Sequence, residues 1–351
     1  MSGNSGNRIK GLDGLRALAV LSVFFGHTGL TPVKGGYIGV EVFFILSGFL
    51  ITRLLAAEHS ASGRIDFLAF YGRRARRLYP ALFGLLAAVA LYCASEPKLD
   101  ARMEITPALF YFMNWVRAFG GYDAVLTGHT WSLAIEEQFY LLWPLALLAL
   151  FWMRRATLGV VILAVVALVW RAHLMKGGAT DARIYGGFDT HAAGLLLGAL
   201  MAFMPAVWLR RAGHLWVPGA AFLIAVLFSD AAIGLALSPY GFAFANLAAS
   251  VVIARVVTVQ ESLLVSNLNA GWLAGLGRVS YGFYLWHYPV IHVMLYGGHD
   301  SILAFFGSLE YPKVAMVAAT FFVSLALTLA SWFIIEKPCM RFRMTRRVPA
   351  L

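Results

Sequence analysis

Charge is scarce in this sequence. Only 13% of its 351 residues are Asp, Glu, Lys or Arg, against 60% hydrophobic, and a water-soluble domain of that size could not cover its surface with so little. Cysteine is scarcer still: Cys93 and Cys339 are the only two and form no CxxC pair, which argues against a disulfide framework or a thiolate metal site. Several catalytic signatures are also missing. The chain contains no GxSxG elbow, no HExxH pair, no P-loop and no His-x4-Asp pair, and no ligand spacing suggests a metal. A cleavable signal peptide is not apparent either. Residues 12–29 carry Asp13, Arg16 and His27, where such a signal needs an unbroken apolar centre.

What is abundant is apolar length. Residues 314–335 run 22 positions without a charge, enough to cross a hydrocarbon core of roughly 30 Å as a helix. Reading such runs in order predicts an all-α polytopic membrane protein whose partner is the lipid bilayer. Ten spans fall near 12–29, 37–56, 78–95, 131–153, 157–173, 189–205, 215–230, 240–257, 279–296 and 312–335. With no repeat, low-complexity tract or soluble appendage, they make one membrane domain over 1–351. The stretch 105–117 is too short to span and contains Pro107 and Asn114, so it reads as interfacial or re-entrant. Lysine and arginine set the orientation. With both termini cytoplasmic, 19 of the 28 fall inside, 8 outside and Arg16 within the first span, as the positive-inside rule requires. An eleventh span at 105–117 would put Arg154 and Arg155 outside. The net charge of +11 is therefore a topology signal and not a nucleic-acid footprint.

Ionisable side chains inside spans are costly and by default mark function or a water-filled cavity. Four places qualify. Arg16 and His27 are eleven residues apart in the first span, within roughly 20° of one helix face and about 16 Å apart along its axis. The bland alternative is an arginine that snorkels to headgroups and a histidine that is merely satisfied. Glu136 and Glu137 stand in the first turns of the fourth span, behind Ser132 as a possible cap. A helix N-terminus accounts for one acid at most; the other needs a partner, which His27 or Arg16 could be. Arg73, Arg74, Arg76 and Arg77 crowd the inner side before the third span. Such a cluster can be a topology signal, an anionic-lipid site or, through bidentate Arg forks, a site for a phosphate-rich ligand. Tyr281, Tyr284 and Tyr288 recur at helical spacing around His287 in the ninth span. An aromatic stripe is ordinarily packing, but a buried imidazole on it needs partners on both nitrogens.

Six segments together resemble those of a known family. DGLRALAV (13–20) with His27, GVEVFFILSGFLIT (39–52), RRARRLYP (73–80), WSLAIEEQFY (131–140), SYGFYLWH (280–287) and EKP (336–338) resemble, in order, the motifs of the membrane-bound acyltransferase-3 family. The resemblance runs from about residue 8 to 340. It implies ten helices with cytoplasmic termini in a bacterial inner membrane. It also implies O-acylation of sugars, surface glycans or glycosylated metabolites, with cytoplasmic acyl-CoA, commonly acetyl-CoA, as donor and no metal. Carried over by position, the family's Arg-x10-His pair is Arg16 and His27, and its Arg-x-x-Arg pair is Arg74 and Arg77, although Arg73 and Arg76 blur which cations matter. Some members carry a C-terminal SGNH-type domain. None is seen here, so the membrane domain is expected to finish the transfer alone or with a separate extracytoplasmic partner.

On this reading Arg73, Arg74 and Arg77 hold the donor phosphates, and the thioester extends past Tyr281 and Tyr284. His27 acts as general base, since an ordinary imidazole pKa of about 6.5 suits proton abstraction near neutrality. Glu136 or Glu137 orients His27 and stabilises the imidazolium, while Arg16, or His287 with the tyrosines, stabilises the oxyanion. Direct transfer and a covalent acyl-enzyme both remain open, with Ser132 and Ser280 the available hydroxyls. The rival class is a transporter or flippase. Inverted repeats would then show two related halves, yet the Arg16/His27 and Glu136/Glu137 features have no counterpart in the second half.

Overall fold

The computed structural model describes residues 9–238, 240–297 and 300–341, and every regular element among them is helical. α1 (Leu12–Thr28), α2 (Ile38–Ser62) and α3 (Phe67–Ser95) come first; α4 (Ala101–Leu109) and α5 (Met113–Ala118) are short, and a 3-10 turn (Gly128–Thr130) leads into α6 (Trp131–Trp152). α7 (Ala156–Lys176) is followed by the short α8 (Asp181–Gly186) and α9 (Phe188–His191), then α10 (Ala193–Phe203) and α11 (Ala206–Ala212). α12 (Trp216–Leu227), α13 (Ala232–Leu237), α14 (Gly241–Thr258), α15 (Leu263–Leu268) and α16 (Gly271–Arg278) precede α17 (Ser280–Ile291), which runs into a π-helical turn, His292–Tyr296. α18 (Asp300–Gly307) and α19 (Pro312–Ser331) lead to a second π turn, Trp332–Glu336, and to α20 (Lys337–Arg341).

Six stretches are long and apolar enough to cross a membrane unaided: Ile38–Ser62, Phe67–Ser95, Gly128–Trp152, Ala156–Lys176, Gly241–Thr258 and Pro312–Met340. The other four expected spans are also helical, but shorter or broken. α1 has 17 residues, the span at 189–205 is interrupted between α9 and α10, and α12 and α17 have 12 each. Burial orders the bundle. The most apolar window of α2 is 67% buried and that of α7 only 11%, so α2 lies near the axis and α7 on the rim. Leu91, Val166, Phe322 and Ile334 are exposed, an apolar exterior that lipid satisfies and water would not. Small residues permit the tightest crossings. A Cβ on Gly48 would lie 1.9 Å from the Leu195 carbonyl oxygen, and one on Gly198 2.1 Å from that of Ile45, so α2 and α10 touch backbone to backbone.

Two details differ from expectation. The third helix begins at Phe67, not at 78: the Asp66 carboxylate caps it by accepting the Ala69 N–H at 2.9 Å, and Pro80 falls inside without ending it. The arginine cluster is therefore helical, on an extension of a span whose apolar part alone is visible to hydropathy. The segment 105–117 is not one element but falls across α4 and α5, which are separated by Tyr111 at φ 54°. Arg8 and residues 342–351, expected on the inner side, lie outside the described residues.

Candidate active site

Two cavities enter the bundle near opposite ends of α1. One, of about 370 Å³, is lined by Arg16, Ser47, Arg73, Arg74, Arg77, Glu136, Tyr140 and Tyr281 among others. The second, of about 390 Å³, is lined by His27, Lys34, Tyr37, Arg117, Trp131, Asp181 and Tyr185 among others. Val40 and Tyr284 line both, so the partition between them is thin.

The arginine cavity follows from helical spacing. Arg74 and Arg77, three residues apart on α3, share a face, and Arg16 reaches the same space from α1. The Arg74 guanidinium lies 3.9 Å over the Tyr140 ring, and the Tyr140 hydroxyl donates to Glu136 Oε1 at 2.6 Å. Ser47 donates to the same carboxylate oxygen. Arg16 donates to Asp13 at 3.2 Å, while Arg73 is half exposed with Glu58 4.0 Å away, at the rim. Glu137 lies within electrostatic reach of Arg74 and Glu136. Tyr281 donates to the Leu78 carbonyl at 3.0 Å, tying α17 to α3.

The opposite cavity holds an imidazole pair. His27 Nδ1 lies 2.9 Å from His287 Nε2, with the rings stacked at 5.2 Å. His287 Nδ1 lies 2.6 Å from the Tyr284 carbonyl oxygen. A carbonyl only accepts, so His287 Nδ1 carries the proton; in a neutral ring Nε2 is then the acceptor, and His27 Nδ1 must donate to it. The lone pair of neutral His27 is thereby placed on Nε2. Next to this pair, Tyr284 donates to the His129 carbonyl at 2.9 Å and meets Ser132 Oγ at 2.6 Å. The His129 ring stacks on Tyr288 at 4.7 Å.

The structure thus brings His27 to His287, and Glu136 to Ser47 and Tyr140 beside the arginines. The expected carboxylate is not a hydrogen-bond partner of His27. The Glu136 oxygen is engaged instead by two hydroxyl donors of the arginine cavity, Ser47 and Tyr140. Several residues were not anticipated. His191 Nε2 lies 2.5 Å from Glu41 Oε1 and its Nδ1 2.6 Å from the Tyr185 carbonyl, and its ring stacks on Phe242 at 4.0 Å. Arg171, near the end of the fifth expected span, is buried and donates to the carbonyls of Ile184, Thr190, Ala236 and Ser238. Glu104 accepts the backbone N–H groups of Val125, Leu126 and Thr127 at 2.7, 3.1 and 3.0 Å, anchoring the approach to α6. Glu41 and His191 were visible as ionisable residues in spans; Glu104 carried no such signal. Among the described residues no group of three or more His, Cys, Asp or Glu could hold a metal ion.

Comparison with known proteins places the chain in a family. The acyltransferase-domain profile of the acyltransferase-3 family matches residues 9–336. The chain is 36% identical over 307 residues to the O-acetyltransferase OatA of Staphylococcus aureus, covering 81% of this chain and 50% of that protein. It is 32% identical over 342 residues to the peptidoglycan O-acetyltransferase OatA of Listeria monocytogenes, covering 90% and 54%. With the putative peptidoglycan O-acetyltransferase YrhL of Bacillus subtilis it shares 36% over 318 residues, covering 81% and 48%. The chain spans about half the length of the curated relatives it matches. No solved structure matches it. The chain belongs to the acyltransferase-3 family of integral membrane proteins.

Proposed function

We propose that this acyltransferase-3 member is an O-acetyltransferase of a bacterial inner membrane, with ten spans and cytoplasmic termini, that moves acetyl from cytoplasmic acetyl-CoA to a hydroxyl of a glycan such as peptidoglycan. The observation that carries this reading is the pair of cavities back to back, one lined by four arginines and the other by His27, with Val40 and Tyr284 common to both. The inner cavity suits the donor: Arg74 and Arg77 supply planar forks for phosphate oxygens, Arg73 guards the rim, and the thioester lies toward Tyr281 and Tyr284. The outer cavity receives the acceptor.

His27 Nε2 takes the proton of the acceptor hydroxyl as its oxygen attacks the thioester carbonyl carbon. The C–S bond breaks, and the proton held on His27 goes to the departing thiolate. Through the transfer His27 keeps donating from Nδ1 to His287, so His287 stabilises the imidazolium in the place first expected of Glu136 or Glu137. Glu136 instead balances the cations of the donor cavity, to which Arg16 belongs, since it donates to Asp13 and lies about 16 Å from His27 along α1. The test is purified protein in nanodiscs with labelled acetyl-CoA and peptidoglycan fragments, the product identified by mass spectrometry. Acetyl ester on the glycan is expected, and His27→Gln should lower its rate by about 10²–10⁴. Acetyl-CoA binding without transfer to any glycan hydroxyl would overturn the reading.

A further inference from the structure

The cavity that holds His27 contains charge that the acyl-transfer step does not use. Arg117, on α5, lines it and makes one hydrogen bond, from Nη1 to the Gly128 carbonyl at 3.2 Å. Among the described residues no carboxylate forms an ion pair with it. Lys34 also lines the cavity, and Asp181 is the single carboxylate in the lining. A guanidinium that lines a partly enclosed space without an ion-pair partner has most of its donors free, and their fork matches the two oxygens of a carboxylate or phosphate.

The rest of the cavity favours a ring-shaped ligand. Trp131, Tyr37 and Tyr185 present aromatic surface, and the volume of about 390 Å³ falls within the roughly 300–1,000 Å³ of small-molecule sites. These walls are braced from behind. Trp131 and Tyr185 pack on the His191 ring at 5.3 and 5.2 Å, and that ring is held by Glu41 and Phe242. Arg171 lies 4.4 Å over Phe242 and fastens the backbone on both sides of Tyr185.

We propose that this cavity is the acceptor site and selects a sugar bearing an anionic group, carboxylate or phosphate. Arg117 and Lys34 anchor the anion, the ring lies against the aromatic walls, and a hydroxyl is turned to His27. The proposal rests on the acceptor assignment above and adds the charge of the substrate.

Isothermal titration of the nanodisc-embedded chain with four probes tests it: methyl glucoside, methyl glucuronide, glucose 1-phosphate and inorganic phosphate. Both charged sugars should bind at least about tenfold more tightly than methyl glucoside, the worth of one charge-assisted hydrogen bond, and glucose 1-phosphate more tightly than inorganic phosphate. Whichever charged sugar binds better identifies the anion. Arg117→Gln should abolish the advantage in a chain that still elutes as a single species, and Lys34→Ala, at an exposed position, should reduce it even if Arg117→Gln fails to fold. Equal binding of neutral and charged sugars, no sugar binding, inorganic phosphate binding as well as glucose 1-phosphate, or an advantage that survives both substitutions each overturns the proposal. Charged-sugar binding that depends on Arg117 without acetyl transfer would leave the acceptor cavity standing and remove the acyl-transfer reading.

Discussion

Replacing His287 probes the imidazole pair more sharply than replacing the base itself. His287→Phe retains an aromatic ring beside Phe24 and Phe283, 6.5 and 6.3 Å from the imidazole centroid, but removes the acceptor that lies 2.9 Å from His27 Nδ1. What is lost is one hydrogen bond to a cation, about 1.5–3 kcal/mol, together with the tautomer preference that leaves His27 Nε2 bare. The rate of acetyl transfer should therefore fall roughly 10- to 150-fold, short of the loss in His27→Gln. His287→Gln keeps a carbonyl oxygen that can accept from Nδ1 and should recover part of the rate. Because His287 acts through His27, the double variant His27→Gln/His287→Phe should be no slower than His27→Gln alone. The assay is the initial rate of glycan O-acetylation by mass spectrometry, in nanodiscs at saturating donor and acceptor. His287→Phe within about twofold of the parent, or a double variant whose losses multiply, would refute the pairing.

Three further outcomes follow from the same geometry. Arg74→Ala and Arg77→Ala should each weaken acetyl-CoA binding in calorimetry by about 1.5–3 kcal/mol, with Arg74→Lys a poor rescue and Arg73→Ala milder because its head is half exposed beside Glu58; unchanged affinity in both Ala variants would return the cluster to a topology role. Single cysteines in a cysteine-free background should label from outside at position 178 and not at 66, and external labelling at 66 would invert the orientation. Gly48→Ala forces a Cβ to 1.9 Å from the Leu195 carbonyl oxygen, an overpacking that should cost about 1–3 kcal/mol and lower the midpoint of thermal unfolding. Gly72→Ala has open space around it and should not; equal midpoints for the two would remove the close α2–α10 contact from the argument.

Hydropathy made the helices legible because the bilayer leaves the backbone of an apolar run no other partner than itself. All ten expected runs contain helix. Their ends were less legible, since lipid sees only the apolar part of a helix and the backbone continues wherever caps and contacts allow. Asp66 shows this well. An N-cap residue is visible in sequence, yet the apolar stretch begins about a dozen residues later, and the arginines between the two looked like a loop. The break between α9 and α10 and the π turns after α17 and α19 had no local signal; packing against neighbours decides such irregularities.

Cost alone pointed to Arg16, His27, Glu136, Glu137 and His287, because a charge in a span must have a reason; the same rule applied to Glu41 and His191, which were passed over. Who pairs with whom was not legible, since it depends on competition among groups far apart in sequence. His27 and His287 are 260 positions apart, Glu41 and His191 150. Residue type does not settle the roles either. Both nitrogens of His191 face acceptors, the Glu41 carboxylate and the Tyr185 carbonyl. That imidazole has no lone pair to offer a substrate, and it serves as a brace. His27 engages one nitrogen, with a neighbour that can only accept there, and it lines a cavity with the other free. In the proposed mechanism the capacity for general-base chemistry therefore lies in the unspent lone pair at His27 Nε2, left there by the Tyr284 carbonyl two hydrogen bonds away.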